Sequence, residues 1–484
     1  MPDPNSSDLH RFGYTQELFR EMGGFSNFAI SFSIISILTG AVTLYGYGLD
    51  LGGPLEMTLG WPVATVFTLT IAASMAELCS AYPTSGAMYH WATALGNAGW
   101  GWFVALLNIV GLIAAQAGIN YSCAQFILPF LRIPATAANT FLIFVFTLIV
   151  HGILNQYGVK LVAWLNNLSV AVHILGVLAI VAGVFFFAPL QPAGFLFTPS
   201  PHPSIRAPYL WLFLLGLLQA QWTYTGFDGS AHVAEETVNA RKSAPWGIVL
   251  SVGVSGVVGY ALLLALTLAI HSIPMALGAK DAEGNAIPAA IAILQGALGA
   301  KVGNALAALA SMAMWFCGLS CVTSASRGVY ALARDGGLPF SRFFSRVSAK
   351  YGTPGPAIWT VVLATILAMA WSGAVPVVTS LSTAALYLAY IVPVILGFLA
   401  RKRAPSWTAD AVWNLGSWGR WINIVAIVYA VIISIMLMMP PNQLAGKTLA
   451  GVVAVLVLLY WGGVRRHFKG PEWTYGAVLP GARK

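Results

Sequence analysis

The chain has 484 residues, 58% of them apolar and only 8% charged, with a net charge of +9. An ordinary soluble domain carries about 25% charged residues, so the composition excludes a soluble enzyme and a single-anchor protein and leaves an integral membrane protein. In a soluble chain a charge of +9 would suggest nucleic acid; here basic loops on one side of a bilayer account for it, and no nucleic-acid partner is expected.

In chain order, residues 1–24 are polar, carry Asp3, Asp8, Glu17 and Glu21, and lack a small-residue cleavage site. They read as a tail, not as a signal or transit peptide. Apolar runs bounded by charge, Pro or Gly then predict twelve transmembrane helices. These lie at 27–49, 57–79, 100–131, 139–157, 161–188, 209–233, 246–271, 302–327, 356–373, 376–400, 419–439 and 447–465. Segment 286–299 is too short to span and reads as an interfacial helix over an exterior opening. With a cytoplasmic N-terminus, all Lys and Arg except Arg132, Arg206, Lys280, Lys301 and Lys447 fall inside. That bias predicts a multi-pass protein of the plasma or inner membrane with both termini cytoplasmic. RKRAPS (401–406) and RRHFK (465–469) read as inner-surface anchors for anionic lipid.

The first and sixth spans look interrupted. The first contains Thr39-Gly40, followed by Gly46 and Gly48; the sixth contains QWTYTGFDGSAHVAEE (221–236). Counting about 1.5 Å per residue from opposite faces brings Leu38 to Gly40 and Trp222 to similar depth, near the midplane. Irregular backbone persists there only where protein buries it or a cavity adjoins it. Matched breaks five helices apart are what a five-plus-five inverted repeat requires of a transporter. The expected organisation is a tail (1–24), repeats at 25–205 and 206–400, two further spans at 401–470, and a second tail (471–484). Free N–H groups near Thr39 and Gly40 would favour a carboxylate, and free carbonyls near Trp222 an amine. The alternative is that these glycines only permit close helix packing.

Four stretches, in order, carry a family resemblance: SILTGAVTLYG (36–46), AELCSAYPTSGAMYHW (76–91), YTGFDGSAHVAEE (224–236) and SRGVYALARDGGLPFSRFFSRVSAKYGTPGPAI (326–358). The chain resembles the amino acid–polyamine–organocation superfamily, in its amino acid/choline branch, from about Gly24 to Leu399. The resemblance implies a LeuT-type fold and a secondary transporter of amino acids or related amines, with no cofactor. By position it implies a carboxylate site at Leu38, Thr39, Gly40 and Ala41. An amine site follows at the carbonyls of Trp222, Thr223 and Thr225, with Trp222 and Tyr224 closing the exterior side. Leu38 stands where relatives usually have Gly and adds bulk at the expected site.

In some relatives of the fifth span a lysine, seven residues after the first Asn of an NN pair, occupies the place of a sodium ion; here NNLSVAVHILG (166–176) puts His173 there. A histidine, with an ordinary pKa of about 6.5, can exchange a proton in the physiological range. His173 is therefore a candidate for coupling to protons, with Thr323 and Ser324 expected nearby; the alternative is a neutral histidine bonded between helices. Glu235 and Glu236 are expected to face Arg327 or Arg334 at an inner gate, or else to be a solvated helix end. Asp228 is expected to cap the inner half of the sixth span by accepting N–H bonds. Asn108 and Gln116 share a face of the third span and are candidates for the pathway. Cys317 and Cys321 share a helical face but have no further ligand nearby, so they read as packing residues and no metal is expected. An amine without a carboxylate, such as choline or a polyamine, is the second reading of the substrate. A membrane enzyme would need a catalytic cluster at one face, and a channel a repeated pore ring. Neither is visible, and a sensor would need more cytoplasmic chain.

Overall fold

The computed structural model describes residues 9–10, 12–200, 207–280, 284, 286–372, 375–403, 405–408, 411–440 and 442–474. Arg11, Arg206, Ala404 and the chain beyond Thr474, which enter the topology above, lie outside the described residues. Helices make up the fold: α1 (Gly24–Ile35), α2 (Ile37–Thr43), α3 (Tyr45–Ala81), α4 (Met88–Leu95), α5 (Ala98–Leu131), α6 (Ala137–Tyr157) and α7 (Val159–Phe187). There follow α8 (Tyr209–Gly216), α9 (Leu218–Thr223), α10 (Gly229–His232), α11 (Ala240–Leu268), α12 (Ala289–Leu298) and α13 (Ala300–Arg334). The last are α14 (Gly355–Ser372), α15 (Val375–Arg403), α16 (Gly419–Met436) and α17 (Gln443–Leu459). Among the described residues, ten stretches are long and apolar enough to cross a membrane. With the segmented sixth span and the shorter α14, they account for the twelve expected helices of an all-α membrane protein.

Three boundaries differ from the sequence expectation, each for a local reason. The first span breaks at Ser36, whose φ of 41° is left-handed, not at Thr39-Gly40. The second span does not begin at residue 57: α3 starts at Tyr45 and kinks at Gly53, where φ is 70° and Pro54 starts the next stretch. A Cβ on Gly53 would lie 2.4 Å from the Ser200 amide nitrogen, so only glycine fits. The sixth span opens over Tyr224–Asp228, with Gly226 at φ 90° and its missing Cβ replaced by the Ile34 side chain. The short helix α12 packs against α13, α7 and α3.

Both described ends meet at one face: the Phe12 ring packs at a tilt against Tyr82 and Trp473 there. We call this the terminal face and the other the far face. α1 and α10 lie toward the terminal face, and α2, α8 and α9 toward the far face.

Candidate functional site

Ser36 ends α1 and starts α2, so the local backbone cannot be fully paired. The Thr39 and Gly40 N–H groups donate to the Ser36 carbonyl, at 2.8 and 3.0 Å. They are therefore not the free donors expected. At this break the N–H groups of Ile37 and Leu38, in the first turn of α2, have no acceptor among the described residues. On the terminal side of the break, the Cys317 thiol donates to the Ile34 carbonyl at 3.1 Å. Cys317 thus satisfies a broken helix end, a role that packing alone did not suggest.

Across from Ser36, the sixth span leaves the Thr223, Tyr224 and Thr225 carbonyls without a donor among the described residues. The Trp222 carbonyl, expected to be free, accepts from the Thr225 N–H (3.1 Å) and hydroxyl (2.7 Å). The two breaks touch: a Cβ on Gly40 would lie 2.2 Å from Thr223 Oγ1 and 2.8 Å from Thr223 Cα. Between them lies a cavity lined by Ile34, Ile35, Thr39, Gly40, Leu112, Ala115, Ile119, Trp222, Thr223, Thr225, Gly226, Cys317 and Leu386. None of these side chains is charged. The cavity is narrow, with room for about one water molecule.

Several expected lining residues point elsewhere. Leu38 packs on Gly176 of α7, whose missing Cβ would lie 3.1 Å from Leu38 Cδ1. Its bulk is therefore absorbed outside the cavity. Ala41 is buried but does not line it. Tyr224 stacks on Trp61 with ring centroids 4.8 Å apart and bonds the Thr65 hydroxyl on α3. Of the aromatic groups considered, only Trp222 reaches the cavity.

His173 is buried against the break. One ring nitrogen, Nε2, lies 2.8 Å from Ser36 Oγ, and Nδ1 lies 2.8 Å from the Ser169 carbonyl. Since a carbonyl only accepts, Nδ1 carries the proton, and in the neutral ring Nε2 accepts from Ser36. Ser36 Oγ also bonds Thr39 Oγ1, which faces the cavity. Thr323 and Ser324 do not join this chain. Thr323 donates to Asn155 Oδ1 of α6 (2.7 Å), and Ser324 lies against Gly229. One turn separates Thr323 from Ser320, which bonds Asn166, so the α13 face toward α7 belongs to Ser320.

Asp228 is held by side chains, not by the helix N–H groups it was expected to cap. Tyr390 donates to Oδ1 at 2.7 Å, Asn108 to Oδ2 at 2.9 Å, and His232 Nε2 lies 3.2 Å from Oδ2. Capping is pre-empted because Ser31 Oγ accepts the Ser230 N–H at 2.7 Å. Asn108 is thus part of this buried cluster and not of the cavity wall. Gln116 is buried beside the lining residue Ala115, and neither end of its amide has a partner among the described residues.

Toward the terminal face, Glu236 receives Arg327 Nε and Nη2 at 2.7 and 3.0 Å, with both side chains buried. Glu235 receives both Arg334 nitrogens, at 2.9 and 3.0 Å, and the Ser85 N–H at 3.0 Å. Beyond α13, Asp335 takes hydroxyls from Tyr14 and Tyr89 and faces His90 Nε2 at 3.0 Å. Burial alone would raise the Asp335 carboxyl, but the His90 contact, Arg334 and Tyr14 hold it below the ordinary range. Glu235 is likewise held low, against its own burial, by Arg334 and the Ser85 N–H. The segment before α1 crosses this cluster: Met22 pairs with Glu236 and Val238 backbone, and the Arg334 guanidinium lies 3.7 Å over the Tyr14 ring.

Comparison with known proteins agrees with this architecture. The sequence profile described as amino acid permease matches residues 22–462. The chain is 34% identical to the amino-acid permease BAT1 homolog of Oryza sativa subsp. japonica, covering 97% of this chain and 96% of the relative. It is equally similar, at 34% and the same coverage, to amino-acid permease BAT1 of Arabidopsis thaliana. Amino-acid permease 2 of Neurospora crassa is 26% identical over 95% of this chain and 87% of its own length.

Proposed function

The chain belongs to the amino acid permease family, as a multi-pass membrane transporter of amino acids or related amines, and from that premise we propose that its cavity, on widening beyond the space for one water molecule, binds a small neutral amino acid as a zwitterion. The observation that carries this reading is the convergence of both helix breaks on one uncharged cavity. On one side the break at Ser36 leaves the N–H groups of Ile37 and Leu38 unengaged between the lining residues Ile35 and Thr39, and these are read as the donors to a carboxylate. On the other stand the carbonyls of Thr223 and Thr225, which suit an ammonium. Thr39 and Trp222 line the space between, and Ile35, Ile119 and Leu386 offer an apolar surface to a short side chain.

A charge buried without a partner is expensive. A zwitterion brings its own balance, whereas choline or a polyamine would need a carboxylate or an aromatic cage that the lining residues do not supply. A thermal-shift panel of the purified protein against neutral amino acids, γ-aminobutyrate, choline and polyamines tests this. Stabilisation by neutral amino acids is expected; stabilisation confined to quaternary amines overturns it.

The terminal face is read as cytoplasmic, because the basic residues collect there, and the repeats at 25–205 and 206–400 as the halves that alternate access around the cavity. Glu235 and Glu236, with Arg334 and Arg327, are read as the inner gate. His173 is read as the coupling group. Protonation would turn Nε2 from an acceptor of the Ser36 hydroxyl into a donor to it, reversing one bond at the hinge of the first span. In proteoliposomes, substrate-driven proton flux is expected to be lost in His173→Gln. Equal flux in this variant and the wild type rules that role out.

A further inference from the structure

Glu56, in the part of α3 nearest the far face, is a carboxylate that no motif pointed to. It is 1% exposed, and Oε2 is buried without a donor. No ion pair or hydrogen bond reaches it among the described residues. The other deeply buried acids, Asp228, Glu235, Glu236 and Glu77, each have a cation, an imidazole or a set of donors. Glu56 has glycines instead. Cβ atoms on Gly48 and Gly60 would lie 2.7 and 2.6 Å from its two oxygens, and one on Gly216 would lie 2.9 Å from its Cγ. Four residues of glycine backbone, counting Gly52, therefore clear room for the carboxyl and bring no side-chain donor to it.

Among the described residues, the surroundings contain no cation. The titratable groups that feel Glu56 are Tyr45, Tyr47 and Tyr209. The Tyr45 hydroxyl bonds Thr267 of α11 and the Tyr209 hydroxyl donates to the Gly52 carbonyl, while Tyr47 accepts from the Asn442 amide and makes no hydrogen bond to Glu56. Asp50, on the same element, is another acid and makes an interaction of its own. Neither α8, α9 nor the covering segment 193–200 carries a charged side chain. Gly216 is the last residue of α8, and Leu217 interrupts the helix before α9, the element that carries Thr223 to the cavity.

We propose that Glu56 is a proton-binding site that reports whether the far half is closed. With α8 packed over it, the carboxyl is held as the neutral acid, since an anion in this cage would have neither solvent nor partner. When α8 and α9 move away, water reaches the group, its O–H bond breaks, and the proton passes to solvent at the far face. Closure reverses the step and takes one proton back. By linkage, the ratio of open to closed far half rises about tenfold per pH unit through the range where one proton is released. The site is separate from the substrate cavity and from His173, and holds whichever amino acid or amine is carried.

The test is infrared titration of the purified transporter in lipid nanodiscs, beside substrate counterflow in proteoliposomes as far-face pH is varied. The wild type is expected to show the carbonyl stretch of a buried, protonated carboxyl at neutral pH. Glu56→Gln, which mimics the neutral acid, is expected to lack that band, keep counterflow and lose its pH dependence. Glu56→Asp, which can still titrate, should retain a dependence. A band that survives in Glu56→Gln, or a pH profile that superimposes on the wild type, overturns the site. A dependence on sodium in place of pH overturns it too, making the group a metal-cation ligand. Should Glu56→Gln not fold, absence of any protonated-carboxyl band from the wild type at neutral pH still decides against it.

Discussion

The two faces are closed by different chemistry. At the terminal face, Arg327–Glu236 and Arg334–Glu235 form buried two-point ion pairs, and the chain before α1 lies across them. At the far face, α8 closes over α3 through apolar side chains and glycine contacts, with Leu51, Leu212, Leu215 and Met436 packed together and Glu56 unpaired beneath. Ion pairs have directional geometry and are strongly destabilised when one partner is lost. Apolar contacts are non-directional and yield gradually. A transporter assembled this way is expected to resist opening at the terminal face until several charges separate together, and to yield at the far face by helices sliding over glycine.

The largest effect should come from splitting a terminal pair. Arg327→Ala leaves Glu236 buried without a cation, and a loss of about 3–5 kcal/mol is expected in thermal or denaturant unfolding. The double variant with Glu236→Ala should recover part of it. If the single variant melts like the wild type, this face is not held by charge. At the cavity, Gly40→Ala forces a methyl into Thr223, with a cost of about 1–3 kcal/mol. Binding of the transported amino acid should weaken at least tenfold while the fold persists. Unchanged affinity would mean that the two breaks do not jointly form the site.

A third contrast lies in pH. The Asp335 carboxyl is depressed, so its contribution is present above the ordinary carboxyl range and is lost as pH falls through its lowered value. Closure at the terminal face should therefore persist until pH drops below about 4, whereas the far face should respond through the range in which Glu56 releases its proton. Asp335→Asn should remove the acid-side transition, read from thiol or protease accessibility across pH. The smallest effect is expected from Thr323→Ala, which loses one hydrogen bond to Asn155 and about 1 kcal/mol. It should leave proton flux unaltered; a change in flux would return Thr323 to the coupling site.

How far such features can be read from the sequence differs in the same way between regions. Span number follows from hydropathy, because the bilayer constrains every crossing alike, and the opening of the sixth span follows from its glycines; in the first span Thr39-Gly40 pointed to a break but not to its position. The acidic pair 235–236 and Arg327 or Arg334 could be matched because opposite charges at the margin of a bilayer seek each other. What the sequence could not supply was side-chain direction. Leu38 looks like added bulk in the site until Gly176, 138 positions later, is found beneath it. Asp228 looks like a cap until Ser31 takes the N–H it would have accepted. The break at Ser36 gave no glycine or proline signal. Glu56 stood in an unremarkable stretch, and its lack of partners is visible only when α3 and α8 are packed together.

The zwitterion claim is tested most directly by calorimetric titration of the purified protein with a neutral amino acid, its carboxamide and its decarboxylated amine. Binding of the amino acid, with each derivative at least tenfold weaker, is the result predicted for N–H groups on one break and carbonyls on the other. An amine that binds as tightly as the intact amino acid would contradict it.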